Sequence, residues 1–202
     1  MPGQKGSEAL RRQQILDAAH RVALRQGIAG LTLRAVAAQA HLSHGLVLFH
    51  FKRKAQLVSA VLDQVLATTL SIQVTQEVAR TEEPLQRLRT LLRHEVDRLS
   101  RDPQQVRLFL EYWALGIRSG AIRRKISAEL ERYRGAFRAV TEDVLPAEVA
   151  RFPGVTAEGL AAIAVSFIKG CAVQAMIDPD RFDTEEYLAA VHGILGQVPV
   201  AA

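Results

Sequence analysis

Cysteine is almost missing from this chain. Cys171 stands alone, so no internal disulfide can form, and this usage suits a reducing compartment. Aromatics are sparse too, with seven Phe, three Tyr and one Trp in 202 residues, and strand-like alternation is absent. A chain rich in Ala, Leu, Val and Arg then points to an all-α protein. The histidines, His20, His41, His44, His50, His94 and His192, include no His-x-x-x-His pair. No Gly-rich phosphate loop occurs. No enzyme activity, cofactor or metal ion is therefore expected. Glu82-Glu83 and Glu185-Glu186 stand at predicted helix starts, where acidic residues favour the dipole and need no catalytic role. The most apolar run, Gly159 to Ile177, is interrupted by Lys169 and reads as a buried helix rather than a membrane span. Residues 1–14 are polar and basic, unlike the apolar core of a signal peptide. The expectation is a soluble cytoplasmic protein that does not engage a membrane.

The net charge of +5 is unevenly spread. Residues 1–54 carry nine Lys or Arg against Glu8 and Asp17, a balance of +7, while the remainder balances at −2. A basic head on a near-neutral body is the distribution of a polyanion-binding domain, 1–54, joined to a second domain, 55–202.

Within the head, residues 32–54 read as two short helices, a tight turn and a basic cluster. Thr32 can cap the first helix, and Leu33, Val36, Ala37 and Ala40 then share one apolar face. Ser43 can cap the second, with Leu42 and Val47 placed as a hydrophobic staple across its start. Such a pair has the size to lay its second helix in a DNA major groove. With Val47 and Phe51 inward, His44, Gly45, Leu46, Leu48 and Phe49 are left facing DNA. Gly45 permits close backbone approach, and Leu46 and Leu48 suit thymine methyls. His44 is the expected polar reader and His50 a phosphate contact. Arg34, Lys52, Arg53 and Lys54, with Lys5, Arg11 and Arg12, would contribute to the charge that meets phosphates.

The pattern formed by Thr32, Val36, Ala37, Ala40, Leu42, Ser43, Gly45, His50, Phe51 and Lys54 resembles the N-terminal domain of Tet-repressor-like transcriptional regulators. Two positions depart from it. His41 stands where the family usually has a turn Gly, which strains a left-handed backbone, and Leu48 replaces a usual phosphate-contacting Tyr. The resemblance implies an all-α fold of about nine helices. An N-terminal three-helix helix-turn-helix domain would precede a C-terminal helical ligand-binding and dimerisation domain.

Periodicity places the first helix from Ser7, as cap, to Gln26, with Gly27 as stop. The fourth continues from near Lys54 along Leu57, Val61, Leu62, Val65 and Leu66. The fifth opens at Thr81–Pro84 and ends near Arg101, and the sixth opens at Asp102-Pro103. The seventh carries Ile122 through Val144 and precedes a loop holding Pro146, Pro153 and Gly154. The eighth, roughly 156–177, is apolar nearly all round, and the ninth starts at Thr184. The last two expose more apolar surface than such a domain hides alone, so a homodimer through a four-helix bundle is expected. Glu111–Trp113, Arg132–Arg134 and Met176–Phe182 resemble the C-terminal domain of the betaine-pathway repressor branch.

The resemblance further implies a double-stranded operator as partner and an unidentified small-molecule effector bound among the middle helices. His94, Phe109, Tyr112, Trp113, Arg118, Tyr133 and Phe137 are candidates for lining that site. Their aromatic character suggests a mid-sized, mostly apolar ligand. The competing reading is a helical small-molecule or lipid carrier, which leaves the +7 head without a reason.

Overall fold

The computed structural model describes residues 2–70, 72 and 75–196, with side chains from residue 8 onward. Ten helices and no strands occur among the described residues. They are α1 (Pro2–Gly30), α2 (Leu33–Ala40), α3 (His44–His50), α4 (Lys54–Thr69) and α5 (Gln76–Arg80). Then follow α6 (Pro84–Ser100), α7 (Pro103–Arg118), α8 (Gly120–Ala147), α9 (Ala157–Ile177) and α10 (Thr184–Gly196). The count exceeds nine because α5 is a five-residue turn capped by Thr75, too short to leave a periodic pattern.

Two compact units divide the chain: residues 1–69 with 104–127, and 70–103 with 128–202. This division departs from 1–54 and 55–202. Helix α4 buries Leu57, Val61, Leu62 and Val65 within the first unit, and the Tyr112 hydroxyl of α7 donates to the Val58 carbonyl at 2.8 Å. Three side chains tie α7 to α1 as well, Gln105 to His20, Arg107 to the Leu24 carbonyl, and Glu111 to the Ile28 amide. These pairings are remote in sequence, so a boundary drawn from charge could not register them.

In the first unit the inner face of α1 is the expected one, Ile15, Ala18, Ala19 and Val22, all buried. The helix starts earlier than Ser7, at Pro2, so Ser7 is an interior residue and not a cap. Gly27 does break it: φ is 68°, and one further turn, Ile28–Gly30, follows the break. Thr32 caps α2 by accepting from the Ala35 amide at 3.1 Å. Ser43 caps α3 by accepting from the Leu46 amide at 3.2 Å. Between them His41 takes the left-handed conformation, φ 55° and ψ 42°. Leu42 N donates to Ala37 O and His41 N to Ala38 O, a Schellman ending that usually uses Gly. The turn keeps its geometry despite the histidine.

The second unit packs α6, α9 and α10 together, with the later part of α8 tied to the start of α9. Glu83 caps α6 with Pro84 in its first turn, and Thr156 caps α9 through the Gly159 amide at 3.0 Å. Helix α8 runs through Pro146, which lies in its last turn rather than in the following loop. Helix α9 buries Leu160, Ala161, Ala164, Val165, Ile168 and Cys171. Its other side leaves out Ile163, Ser166, Val173 and Ile177, the last 79% exposed. Helix α10 leaves out Ala190, Gly193 and Ile194, the last 62% exposed. Helix α9 is long and apolar enough to cross a membrane by length and composition, but its six-residue buried face packs inside the unit.

Candidate nucleic-acid interface and ligand cavity

Helix α3 is amphipathic in an unusual sense. Val47 is fully buried and the capping residue Phe51 nearly so, which fixes the helix on the head. The opposite side is also apolar in part: Leu48 is exposed, and Phe49 is 68% exposed. Exposing a Phe on a seven-residue helix forgoes burial worth about 2 kcal/mol, so the residue asks for a partner outside the chain. His44 and Gly45 are exposed beside it, Leu46 and His50 half-buried. A Cβ placed on Gly45 would meet nothing within 4 Å, so the surface is open there.

The cations surround this helix. Arg34, Lys52, Arg53 and Lys54 are exposed on α2 and on the segment leading into α4. Lys54 has a second task, since its Nζ donates to the Ala29 carbonyl at 3.1 Å and closes the last turn of α1. Arg12 lies over the Phe51 ring, 4.8 Å from its centroid, and Arg11 bonds Gln14. The Lys5 side chain lies outside the described residues. At the C-terminal end of α3 a groove of about 590 Å³ is lined by Arg12, His50, Phe51, Arg53 and Lys125, among others. Lys125 comes from α8, where it pairs with Asp63 at 2.6 Å. No local pattern in the sequence announces it.

The seven residues expected to line an effector site are divided between the two units. Phe109, Tyr112, Trp113 and Arg118 belong to the first unit, and His94, Tyr133 and Phe137 to the second. Phe109, Tyr112, Tyr133 and Phe137 are core residues at 1% exposure or less, and Arg118 is exposed. Phe109 meets Trp113 edge-on, as Tyr133 meets Phe137. Aromatic rings at helical spacing have the same appearance in sequence whether they fill a core or face a cavity. Here Phe109, Tyr112, Tyr133 and Phe137 fill the core, and Trp113 is half-buried.

A polar cavity of about 180 Å³ does lie in the second unit, lined by Thr75, His94, Glu95, Asp97, Arg98 and Arg101. Of the seven it takes only His94, whose Nδ1 meets Thr75 at 3.0 Å and Nε2 meets Glu77 at 2.8 Å. Glu95 is 1% exposed. Arg98 grips it through Nε at 3.2 Å and Nη2 at 2.6 Å, and the Tyr133 hydroxyl donates to it at 2.7 Å. The Lys169 ammonium lies 4.9 Å from the Tyr133 ring centroid, its stem partly exposed and its Nζ covered. Burial, and then the charge of Arg98, lowers its pKa to about 7.

That depression has a sign for stability. The unfolded chain holds a proton on Lys169 up to the ordinary lysine range, and the folded chain releases it from about pH 7. Stability therefore rises with pH between those limits, by at most about 1.4 kcal/mol per unit. Urea unfolding at pH 7 and pH 9, below the range where unfolded tyrosines titrate, reads the slope. Lys169→Met is expected to flatten it and to raise stability at pH 6. An unchanged slope would locate the titration elsewhere.

Comparison with known proteins gives a consistent assignment. Residues 84–198 match the family described as BetI-type transcriptional repressor, C-terminal, and residues 15–61 match bacterial regulatory proteins of the tetR family. The HTH-type transcriptional regulator BetI of Burkholderia cenocepacia is 27% identical over 187 residues, 93% of each chain. A protein of Saccharomonospora viridis solved in complex with choline aligns with a TM-score of 0.73 at 18% identity, covering 93% of this chain and 96% of that one. A TetR transcription regulator from Haloarcula marismortui aligns with a TM-score of 0.72 at 22% identity, covering 93% and 97%.

Proposed function

Since the chain belongs to the tetR family of bacterial transcriptional regulators and carries a BetI-type repressor C-terminal domain, we propose that it represses by binding a palindromic operator as a homodimer. Such regulators are not enzymes; they bind operator DNA and small-molecule effectors. The observation that carries the proposal is α3, held by buried Val47 and Phe51 while Leu48 and Phe49 stand exposed among Arg34, Lys52, Arg53 and Lys54. His44, Gly45, Leu46, Leu48 and Phe49 read base edges, with thymine methyls opposite the leucines. Ser43, His50 and the cations hold the backbone. The protein works in the cytoplasm, where its operator is.

Dimerisation uses α9 and α10. Exposed Ile163, Ser166, Val173 and Ile177 stand three, seven and four residues apart, on one face as in a helix–helix seam. Gly193 on α10, where a Cβ would meet nothing within 4 Å, lets a second helix approach closely, while the half-buried Gly170 accommodates Tyr187 of the same subunit. A two-fold partner covers these faces better than lipid, because α9 also belongs to a packed core.

The effector occupies the cavity beside Glu95, Arg98 and Arg101. Its volume is below the range of typical metabolite pockets, and its lining is charged. This favours a small charged compound over the mid-sized apolar one that the aromatics suggested. Choline, the ligand of the S. viridis protein, is one such compound and belongs in the first screen.

Binding-site selection from random duplexes tests the proposal. Inverted half-sites about one helical turn apart, or a multiple of it, are expected, with affinity falling steeply as salt rises. Recovery of single half-sites bound by monomer would refute it.

A further inference from the structure

The break in α1 is held from outside the helix-turn-helix. At Gly27 the backbone turns to φ 68°, and the next amide, Ile28 N, donates to Glu111 Oε2 at 2.7 Å. The carboxylate fits so closely that a Cβ on Gly27 would lie 2.6 Å from Oε2 and 2.7 Å from Oε1. The other end of the same three-residue turn is held by Lys54, whose Nζ takes the Ala29 carbonyl at 3.1 Å. An anion thus caps the amide end and a cation the carbonyl end of Ile28–Gly30, each where the backbone dipole favours it. Immediately after this turn, Leu31 is fully buried and Thr32 caps α2. The direction of the turn therefore sets the direction in which the chain delivers α2 and α3.

Glu111 is itself well fixed. Its neighbour Tyr112 donates to the Val58 carbonyl at 2.8 Å, and Gln105, two turns earlier on α7, meets His20 at 2.9 Å. The carboxylate is brought to Ile28 by a helix anchored on both α1 and α4. Resting on the reading that α3 meets DNA, we propose that Glu111 is a positioning residue for DNA binding: from α7 it sets the bend at Gly27 and so the presentation of the recognition helix. It touches no DNA. Movement of α7 reaches α1 and α4 through Gln105, Arg107 and Tyr112 as well, but it reaches the bend at Gly27 through this carboxylate, which makes Glu111 a point where operator affinity is adjusted.

The test uses full-length protein on the selected operator, with wild type, Glu111→Gln and Glu111→Ala at a temperature where circular dichroism shows all three fully folded. Failure of wild type to bind any operator would defeat the DNA reading itself, independently of Glu111. Given wild-type binding, Glu111→Ala is expected to weaken operator affinity by about 10-fold, the scale of one lost charge-assisted hydrogen bond. Affinity for random duplex, which depends on phosphates, stays within about 2-fold. Hydrogen exchange of the Ile28–Leu31 amides accelerates. Glu111→Gln, which keeps an acceptor, retains most of the affinity. Lowered thermal stability with unchanged operator affinity would overturn the proposal and leave Glu111 a structural residue only. Equal loss on operator and random DNA would overturn it as well.

Discussion

The Val173→Lys protein is expected to sediment as a monomer and to bind its operator about 10²–10⁴-fold more weakly than the parent, the factor lost when two linked half-site contacts become independent. Val173 lies on the exposed stripe of α9, between Ser166 and Ile177. In the proposed dimer it meets the same stripe of a second copy, so each substitution puts two ammonium groups against an apolar seam. Inside the subunit the change costs little, because Val173 is 37% exposed and the core of α9 lies on the other face. The expected result is thus a folded protein with an intact head and no cooperative operator binding. Sedimentation velocity and fluorescence anisotropy on full and half operators read the two parts separately. A variant that remains dimeric would move the interface off this stripe.

Glu95→Ala is expected to destabilise the protein by about 3–5 kcal/mol, because it removes the buried carboxylate that Arg98 and the Tyr133 hydroxyl share. The side chain of Arg98 is 19% exposed against 1% for Glu95, so little water reaches the pair. Lys169 lies in the same neighbourhood and would lose the attraction of Glu95 while keeping the repulsion of Arg98. Glu95→Gln, which keeps an acceptor for the hydroxyl, is expected to cost less. Replacing Glu95 and Arg98 together by methionine is expected to cost less than Glu95→Ala alone, since no unpaired charge is then buried. Urea titrations at one protein concentration, needed because dimerisation adds to apparent stability, provide the comparison. A loss under about 1 kcal/mol would mean that solvent reaches the cluster and that the burial penalty is largely absent.

The stripe on α9 follows from sequence, since a nearly all-apolar helix must have both faces covered. The charged cluster does not. Glu95 is one of two acidic residues on α6, beside Asp97, and its 38-residue separation from Tyr133 leaves no local mark.

The head was the most legible part. Thr32 and Ser43 cap where their hydroxyls predict, Val36, Ala37, Ala40 and Val47 are buried as their spacing requires, and Gly27 breaks α1. Each depends on interactions within about four residues, so composition and spacing are enough. The histidine at position 41 takes a left-handed conformation because the Schellman bonds on either side of it demand one. Less legible was the role of the aromatics, since ring spacing on a helix does not distinguish core from cavity lining.

What the sequence determined by itself is the all-helical class, the helix-turn-helix with its outward residues, the basic head and an apolar α9. Tertiary structure alone decided that α4 and α7 pack with the head, that Glu111 meets Ile28, that Lys54 meets Ala29 and that Glu95 meets Tyr133. The physical reason is one of range. Caps and faces are set by neighbours along the helix, whereas a side chain's partner 25 to 83 residues away is selected by how whole helices stack.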